Sequence, residues 1–325
     1  MNRRKFLAAA SSLGLAGLPG ISLANDWPTK PVRMISGFPP GGIVDIIARI
    51  IGDKLSQSLG QPFVVESKPG ASGNIATAYV AKLRGDPYTL MLGSSGPLAI
   101  NGSLYKNLGF DPLADFVPIC LLAATPLVLV VSAQSEIKSV PELLKKLATA
   151  KTPPFYGSAS PGSPQHLAAE LLKQRTGVNA THVGYKGGAP ALMAVLGGEV
   201  LFAFENLALV DAHIKSGRLV ALAVSSAQRT PPLPNVPTMI ESGVPDFDAR
   251  GWYGLIGPKD LPEAVVRRLS RETMKAARLP DVRARIAAFG SNDVTNTPDE
   301  FRQFIIAEQR KWREVITAGK ITIDA

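Results

Sequence analysis

Apolar and polar positions alternate over residues 32–38, the period of a strand. After Phe38, Pro39, Pro40, Gly41 and Gly42 the rhythm lengthens, and Ile46, Ile47, Ile50, Ile51 and Leu55 fall largely on one helical face. The pattern predicts a strand that stops at two prolines and restarts as an amphipathic helix over 43–59. Such a corner leaves the first N–H groups of the helix without intrahelical acceptors, and its glycines let an oxygen-bearing ligand approach the main chain. The helix end adds roughly half a positive charge, so the corner is a candidate anion site that needs no basic side chain.

The same unit recurs along the chain. A strand at 63–66 enters a loop at 67–74, a helix follows at 75–83, and a strand at 88–92 enters Gly93, Ser94, Ser95, Gly96 and Pro97. A long apolar run over 116–131 has a break at Thr125 and Pro126, where the chain is expected to pass into a second domain. Beyond it, Ser139 is a candidate N-cap for a helix reaching 150, and a strand at 155–156 enters a polar corner containing Ser160, Gly162 and Ser163. A helix at 167–175 follows. The strand at 180–183 leads to Tyr185, Lys186, Gly187 and Gly188, and the strand at 200–204 leads to Glu205 and Asn206. After a strand at 219–225 the chain is rich in proline, with a return crossing expected between Ser226 and Trp252. Helices from about 262, 280 and 298 are expected to pack on the first domain. Strand, corner and helix in repetition imply an α/β fold with its corners gathered at the carboxyl ends of the strands.

Residues 1–24 hold Arg3, Arg4 and Lys5, an apolar stretch from Phe6 to Leu18, and Ser22, Leu23 and Ala24 before a cleavage point, which is the order of an export signal. The paired arginines also fit a twin-arginine signal. Removing 24 of 325 residues leaves 301, enough for two domains of about 150 residues by the usual length prior. The signal carries three basic and no acidic residues, so the formal charge falls from +9 to +6. Arg267, Arg268, Arg271 and Lys275 stand at helical spacing beside Glu263 and Glu272, the composition of a solvated helix face. With no nucleic-acid motif and little aromatic interleaving, DNA and RNA are not expected partners. Cys120 is the only cysteine, which excludes an internal disulfide, and between Ile119 and Leu121 it reads as a small buried apolar residue.

Catalytic patterns are missing where they would be needed. A serine hydrolase using a corner serine with His166 or His182 lacks the Gly-x-Ser-x-Gly elbow, because neither Gly93-Ser94-Ser95-Gly96 nor Gly162-Ser163-Pro164 has its spacing. His166, His182 and His213 show no metal-ligand spacing, and no phosphate-binding glycine loop occurs. No catalytic residue, metal or cofactor is therefore expected. His166 reads as a first-turn residue bracing the 160–163 corner. Asp45 and Arg49, four apart, read as an ion pair, with Asp45 also placed to orient its corner or accept a ligand amine. Trp252 and Tyr253 are candidates for the cleft or for packing between domains.

These blocks together resemble the extracytoplasmic solute receptors of tripartite tricarboxylate transporters, the Bug-type periplasmic binding proteins. The resemblance runs from Trp27 nearly to the C-terminus. It rests on Phe38-Pro39-Pro40-Gly41-Gly42 with Asp45 and Ala48-Arg49, and on Pro69-Gly70-Ala71-Ser72-Gly73-Asn74. It also rests on Ala99-Ile100-Asn101 with Ser103-Leu104-Tyr105, and on Gly162-Ser163 with His166-Leu167-Ala168. His182-Val183 with Tyr185-Lys186-Gly187, residues 225–237, and Trp252-Tyr253-Gly254-Leu255 complete it.

The resemblance implies a two-lobed periplasmic binding protein fold, type II-like, with one small carboxylate in the cleft between lobes. On this basis the chain divides into an export signal at 1–24, a first lobe at 25–125, a second lobe at 126–240 and a return to the first at 241–325. The implied ligand-binding set is Phe38, Pro40, Gly41, Gly42, Asp45, Ser94, Ser95, Ser160, Gly162 and Ser163, with Tyr185, Gly187, Glu205 and Asn206 framing the far end. The implied protein is a periplasmic, monomeric receptor that delivers its carboxylate to membrane permease subunits, or alternatively a sensing subunit for the same ligand class. Two departures from the family pattern stand out. The chain has Ser158-Ala159-Ser160-Pro161 where Ser-Ala-Gly is usual, and Ala203-Phe204-Glu205 where many members have Met-Phe-Asp.

Overall fold

The computed structural model describes residues 27–323, and the expected export signal at 1–24 lies outside the described residues. Strand β1 (Val32–Ser36), which ends two residues before the expected Phe38, leads through the Pro-Pro-Gly-Gly corner into helix α1 (Ile43–Leu59), which has the bounds that the periodicity predicts. Val44, Ile47, Ile50, Ile51 and Leu55 are buried beneath it, each contributing roughly 1.5–3 kcal/mol relative to exposure. Gly60 ends the helix in the left-handed region, which costs a residue without Cβ nothing. β1 pairs in parallel with β2 (Phe63–Ser67) on one side and β3 (Thr89–Ser94) on the other. Helix α2 (Asn74–Ala81) connects β2 to β3.

The expected break at Thr125 and Pro126 does not interrupt the chain's extended conformation. β4 (Phe116–Ser132) is a single 17-residue strand. Pro126 falls where the strand changes partners, so its missing N–H interrupts neither ladder internally. Two residues past each of the two irregular places in the first ladder, at Ile119 and Leu122, Asn296 Oδ1 accepts from Leu121 N–H and Ser291 Oγ accepts from Ala124 N–H. Past Pro126, helix α3 (Val140–Thr149) begins under the cap of Ser139, whose hydroxyl accepts from Glu142 N–H as expected.

The second half repeats the strand–corner–helix unit. β5 (Phe155–Ser158) lies in parallel between β6 (Thr181–Gly184) and β7 (Phe202–Asn206). β7 and β8 (Leu219–Val224) flank the end of β4, both antiparallel to it. Helices α4 (Pro164–Thr176), α5 (Gly188–Leu196) and α6 (Leu207–Lys215) follow β5, β6 and β7. The proline-rich stretch stays against this half, because Phe247 stacks on Phe204 and Ala249 N–H donates to Ser225 O. β9 (Arg250–Pro258) then runs antiparallel between β4 and β3.

Two adjacent extended segments therefore join the halves, with Gly251 opposite Thr125 and Arg250 opposite Pro126. Ser225 ties them together: its hydroxyl donates to Ala249 O and accepts from Leu127 N–H. Helices α7 (Glu263–Ala277) and α8 (Pro280–Ala287) pack against α1. Helix α9 (Pro298–Ala318) reaches both halves, since at 21 residues it is roughly 30 Å long. Near its middle Gln309 Nε2 donates to Leu98 O, and near its end Val315 O accepts from Gln174 Nε2. Next to Gln309, Glu308 accepts from the indoles of Trp252 and Trp312.

Candidate functional site

The carboxyl ends of β1, β3, β5 and β7 converge on a cavity of about 800 Å³ between the two halves. Phe38, Pro40, Gly42, Ser94 and Ser95 border it from the first half, and Ser160, Gly162, Ser163 and Asn206 from the second. Among the described residues no Asp, Glu, Lys or Arg borders it. Any charge it holds must be met by main-chain N–H groups, hydroxyls, amides and helix ends.

The first corner is held from behind. Gly41 has φ +81°, a left-handed conformation that glycine adopts freely. Its N–H donates to Asp45 Oδ2 at 3.0 Å, and Arg49 Nε donates to the same oxygen at 2.9 Å. The Arg49 hydrogen bond, assisted by Gly41 N–H, holds the buried Asp45 carboxyl below its usual range although burial pushes the other way. Asp45 thus orients the loop and does not itself reach the cavity wall. Ile43 and Val44 do, and their first-turn N–H groups lack intrahelical acceptors. Beside them Ser94 and Ser95 are buried, with hydroxyls that make no hydrogen bond to any described residue.

The corner at 160–163 rests on two histidines. Ser163 Oγ donates to Ser160 O at 2.7 Å and accepts from His166 N–H at 3.3 Å, so its hydroxyl is committed to capping α4. His166 Nδ1 accepts from Gly162 N–H at 3.0 Å, the bracing role expected of it. Its ring stacks on His182 with 3.7 Å between centroids, and His182 Nε2 lies 2.7 Å from Ser158 Oγ. Burial, with lesser contributions from His182 and Lys173, pushes His166 down to about 3, so both its nitrogens stay available as a neutral donor and acceptor. The Ser158–His182 contact has the distance of a nucleophile and base. Ser158 is nevertheless fully buried off the cavity wall, and its hydroxyl also contacts Ser160 O.

Tyr185, Gly187 and Glu205 do not border the cavity, nor does Gly41. Glu205 was expected in a corner but is the penultimate residue of β7, paired with Val128, while Asn206 pairs with Leu127. Successive strand residues face opposite sides of the sheet. Asn206 and Leu127 therefore reach the cavity, and Glu205 turns toward the start of α5, where a Cβ on Gly188 would lie 2.7 Å from its Oε2. Burial pushes Glu205 up to about 7, opposed weakly by Asn206 N–H and the Gln165 amide, and its Oε1 has no hydrogen-bond partner.

Sequence reasoning missed Gln165, Leu127, Ser72, Asn101 and Ile323 on the wall. Asn101 stood in a quoted family block without a role, and its Nδ2 donates to Asn74 Oδ1 at 2.6 Å. Of the two aromatic candidates, Tyr253 borders the cavity and Trp252 is core, bonded to Glu308.

Residues 47–321 match the family model described as "Tripartite tricarboxylate transporter family receptor". The chain is 37% identical over 318 residues to Protein BugT of Bordetella pertussis, covering 97% of this chain and 98% of that one. It superposes on the structure of R. palustris Rpa4515 with adipate with a TM-score of 0.77 at 34% identity, covering 91% of this chain and 100% of the other. On MatC from Rhodopseudomonas palustris with bound malate the TM-score is 0.72 at 29% identity, covering 89% and 100%. The similar chains cover about nine-tenths or more of this one, and the protein belongs to the tripartite tricarboxylate transporter family receptors.

Proposed function

We propose that the protein is a periplasmic receptor that captures a small carboxylate between its lobes and hands it to the membrane subunits of a tripartite transporter. The observation that carries this reading is the cavity itself: main-chain corners from both lobes face one space that has no charged wall residue among the described residues. The lobes divide at the paired crossings, Thr125–Pro126 and Arg250–Gly251. Family relatives solved with adipate and malate support the ligand class. The export signal expected at 1–24 supports the location, and among the described residues no helix is long and apolar enough to cross a membrane.

Three charge-assisted hydrogen bonds to one carboxylate, at roughly 1.5–3 kcal/mol each, give about 4.5–9 kcal/mol before desolvation and ordering costs. Micromolar binding needs about 8 kcal/mol, so corners on one lobe alone bind weakly. Contacts from both lobes, made as the cleft closes and excludes water, supply the remainder. The receptor must also release its ligand unaltered, which fits a site where the serine hydroxyl in contact with an imidazole nitrogen, Ser158 Oγ, is buried off the cavity wall.

Native mass spectrometry of protein purified without refolding tests the reading. The expected result is one bound carboxylic acid per chain, displaced intact by excess adipate or malate. Recovery of a cleaved or oxidised product formed by the protein would replace the receptor with an enzyme.

A further inference from the structure

At one point of the second lobe's corner the cavity wall is closed to hydrogen bonding. Gly162 borders the cavity at φ +72°, and its N–H is committed to His166 Nδ1 at 3.0 Å. A Cβ on Gly162 would lie 2.6 Å from Leu104 Cδ1 and 3.2 Å from Ile323 Cγ2, so these two side chains occupy the space that a larger residue would need. Leu104 belongs to the first lobe. Its N–H donates to Asn101 O, and Asn101 is itself bonded to Asn74 at the start of α2. Ile323 belongs to the chain that follows α9. Both side chains are half-buried and both border the cavity.

The tail reaches this place by an anchored path. Gln174 on α4 donates to Val315 O, which holds the end of α9 on the second lobe. Gly319 N–H donates to the same Val315 O, and Lys320 turns the chain at φ +50°. A Cβ on Gly319 would lie 3.2 Å from Glu170 Oε2, so the turn sits against α4. Ile321 is then buried, with its N–H donating to Ile316 O, Thr322 is exposed, and Ile323 meets the cavity. The chain is thus fixed to the second lobe two residues before Ile323. Leu104 and Ile323 come from different lobes and meet over one glycine.

Resting on the receptor reading, we infer that the tail after α9 is part of the ligand site, and that Ile323, together with Leu104, determines specificity for the hydrocarbon part of the ligand. Ser94, Ser95 and Asn206 can hydrogen-bond polar groups elsewhere on the wall. Over Gly162 the wall is carbon: neither side chain has a donor or acceptor, and the glycine N–H is taken. A ligand hydroxyl facing this stretch gives up water without gaining a partner. An unsubstituted methylene chain gains burial there. The favoured class is therefore a carboxylate with a plain hydrocarbon body, and a polyhydroxylated acid of the same length and charge is disfavoured.

Calorimetry and stopped-flow release with adipate and with galactarate, its tetrahydroxylated counterpart, test this in wild type, Ile323→Ser, Leu104→Ala and protein ended after Thr322. Wild type should bind adipate about tenfold or more tighter than galactarate. Each variant should lower adipate affinity by about three- to tenfold, mostly through faster release, and change galactarate affinity by less than about twofold, so that the ratio narrows. Ile323→Leu, which keeps the carbon wall, should keep the wild-type ratio. Equal weakening of both acids would give the tail a purely structural role, and unchanged adipate binding in both Ile323→Ser and the shortened protein would put the tail outside the site. Either result overturns the inference, as does a wild type that prefers galactarate. Failure of the receptor reading looks different: wild type would bind neither acid, nor malate.

Discussion

Two buried acids stand behind the walls of one cavity and behave oppositely. Asp45 carries two hydrogen-bond donors on a single oxygen, one from a glycine corner and one from Arg49, and its charge is favoured. Glu205 carries no cation, leaves an oxygen unpartnered, and its charge is disfavoured by burial. The difference shows what each lobe contributes. On the first lobe an ionised side chain holds the main chain of the corner beside the cavity. On the second, neutral histidines hold the corner, and the buried acid lies off the cavity wall with no cation beside it.

The largest expected effect falls on the main-chain donors that Asp45 holds. Gly42 is extended, at φ −75°, and a Cβ there would meet only Pro39 O at 3.4 Å. Gly42→Leu should therefore fold normally while its side chain fills the cavity, lowering carboxylate affinity by about 100-fold or more in calorimetry. Undiminished binding would put the ligand at a different corner.

Next comes the pH dependence of stability, where the two acids should give opposite signs. Glu205 is raised from 4.5 to about 7 in the fold, so its share of stability is complete below the unfolded value and is lost as pH rises through 7. The loss is about 3 kcal/mol for a shift of this size. Glu205→Gln should accordingly be more stable than wild type above neutrality, by about 2–3 kcal/mol in urea unfolding, with the advantage gone in mild acid. Asp45 is lowered from 3.8, so its contribution is present above that value and disappears as pH falls. Asp45→Ala should cost about 1–3 kcal/mol at neutral pH, because Gly41 N–H loses its acceptor. Equal slopes for the two variants would erase the contrast.

The smallest effect sharpens the contrast on the second lobe. Ser163→Ala removes the cap of α4 and the hydrogen bond to Ser160 O, at a cost of about 1 kcal/mol in stability. Since that hydroxyl is committed within the corner, ligand affinity should fall by less than about tenfold. A much larger loss without unfolding would mean that the hydroxyl turns to meet the ligand.

The first lobe was the more legible of the two in the sequence because several signals agree there. Alternation, the Pro-Pro-Gly-Gly corner and the helical stripe of Ile46, Ile47, Ile50 and Ile51 all name the same strand, turn and helix. The place of Glu205 was not legible, because its side of the sheet depends on where β7 ends. Extending the strand by two residues puts the acid in the ladder and turns it away from the cavity. Thr125 and Pro126 marked the crossing residues but suggested a break, since the strand's change of partner at Pro126 involves pairings more than 70 residues away in sequence. The stacking of His166 on His182 brings two helix-and-strand units together, and no local pattern announces it. Gln165 gave no signal at all; its place on the wall follows from where α4 begins.

The central claim, that main-chain donors from both lobes hold one carboxylate, is tested most directly by backbone amide shifts during a carboxylate titration in isotope-labelled protein. The N–H groups of Ile43 and Val44 on the first lobe and of Gln165 on the second should move together, along a single saturable curve, with the largest displacements in the protein. Movement confined to one lobe, or the largest displacements away from both helix starts, would contradict it.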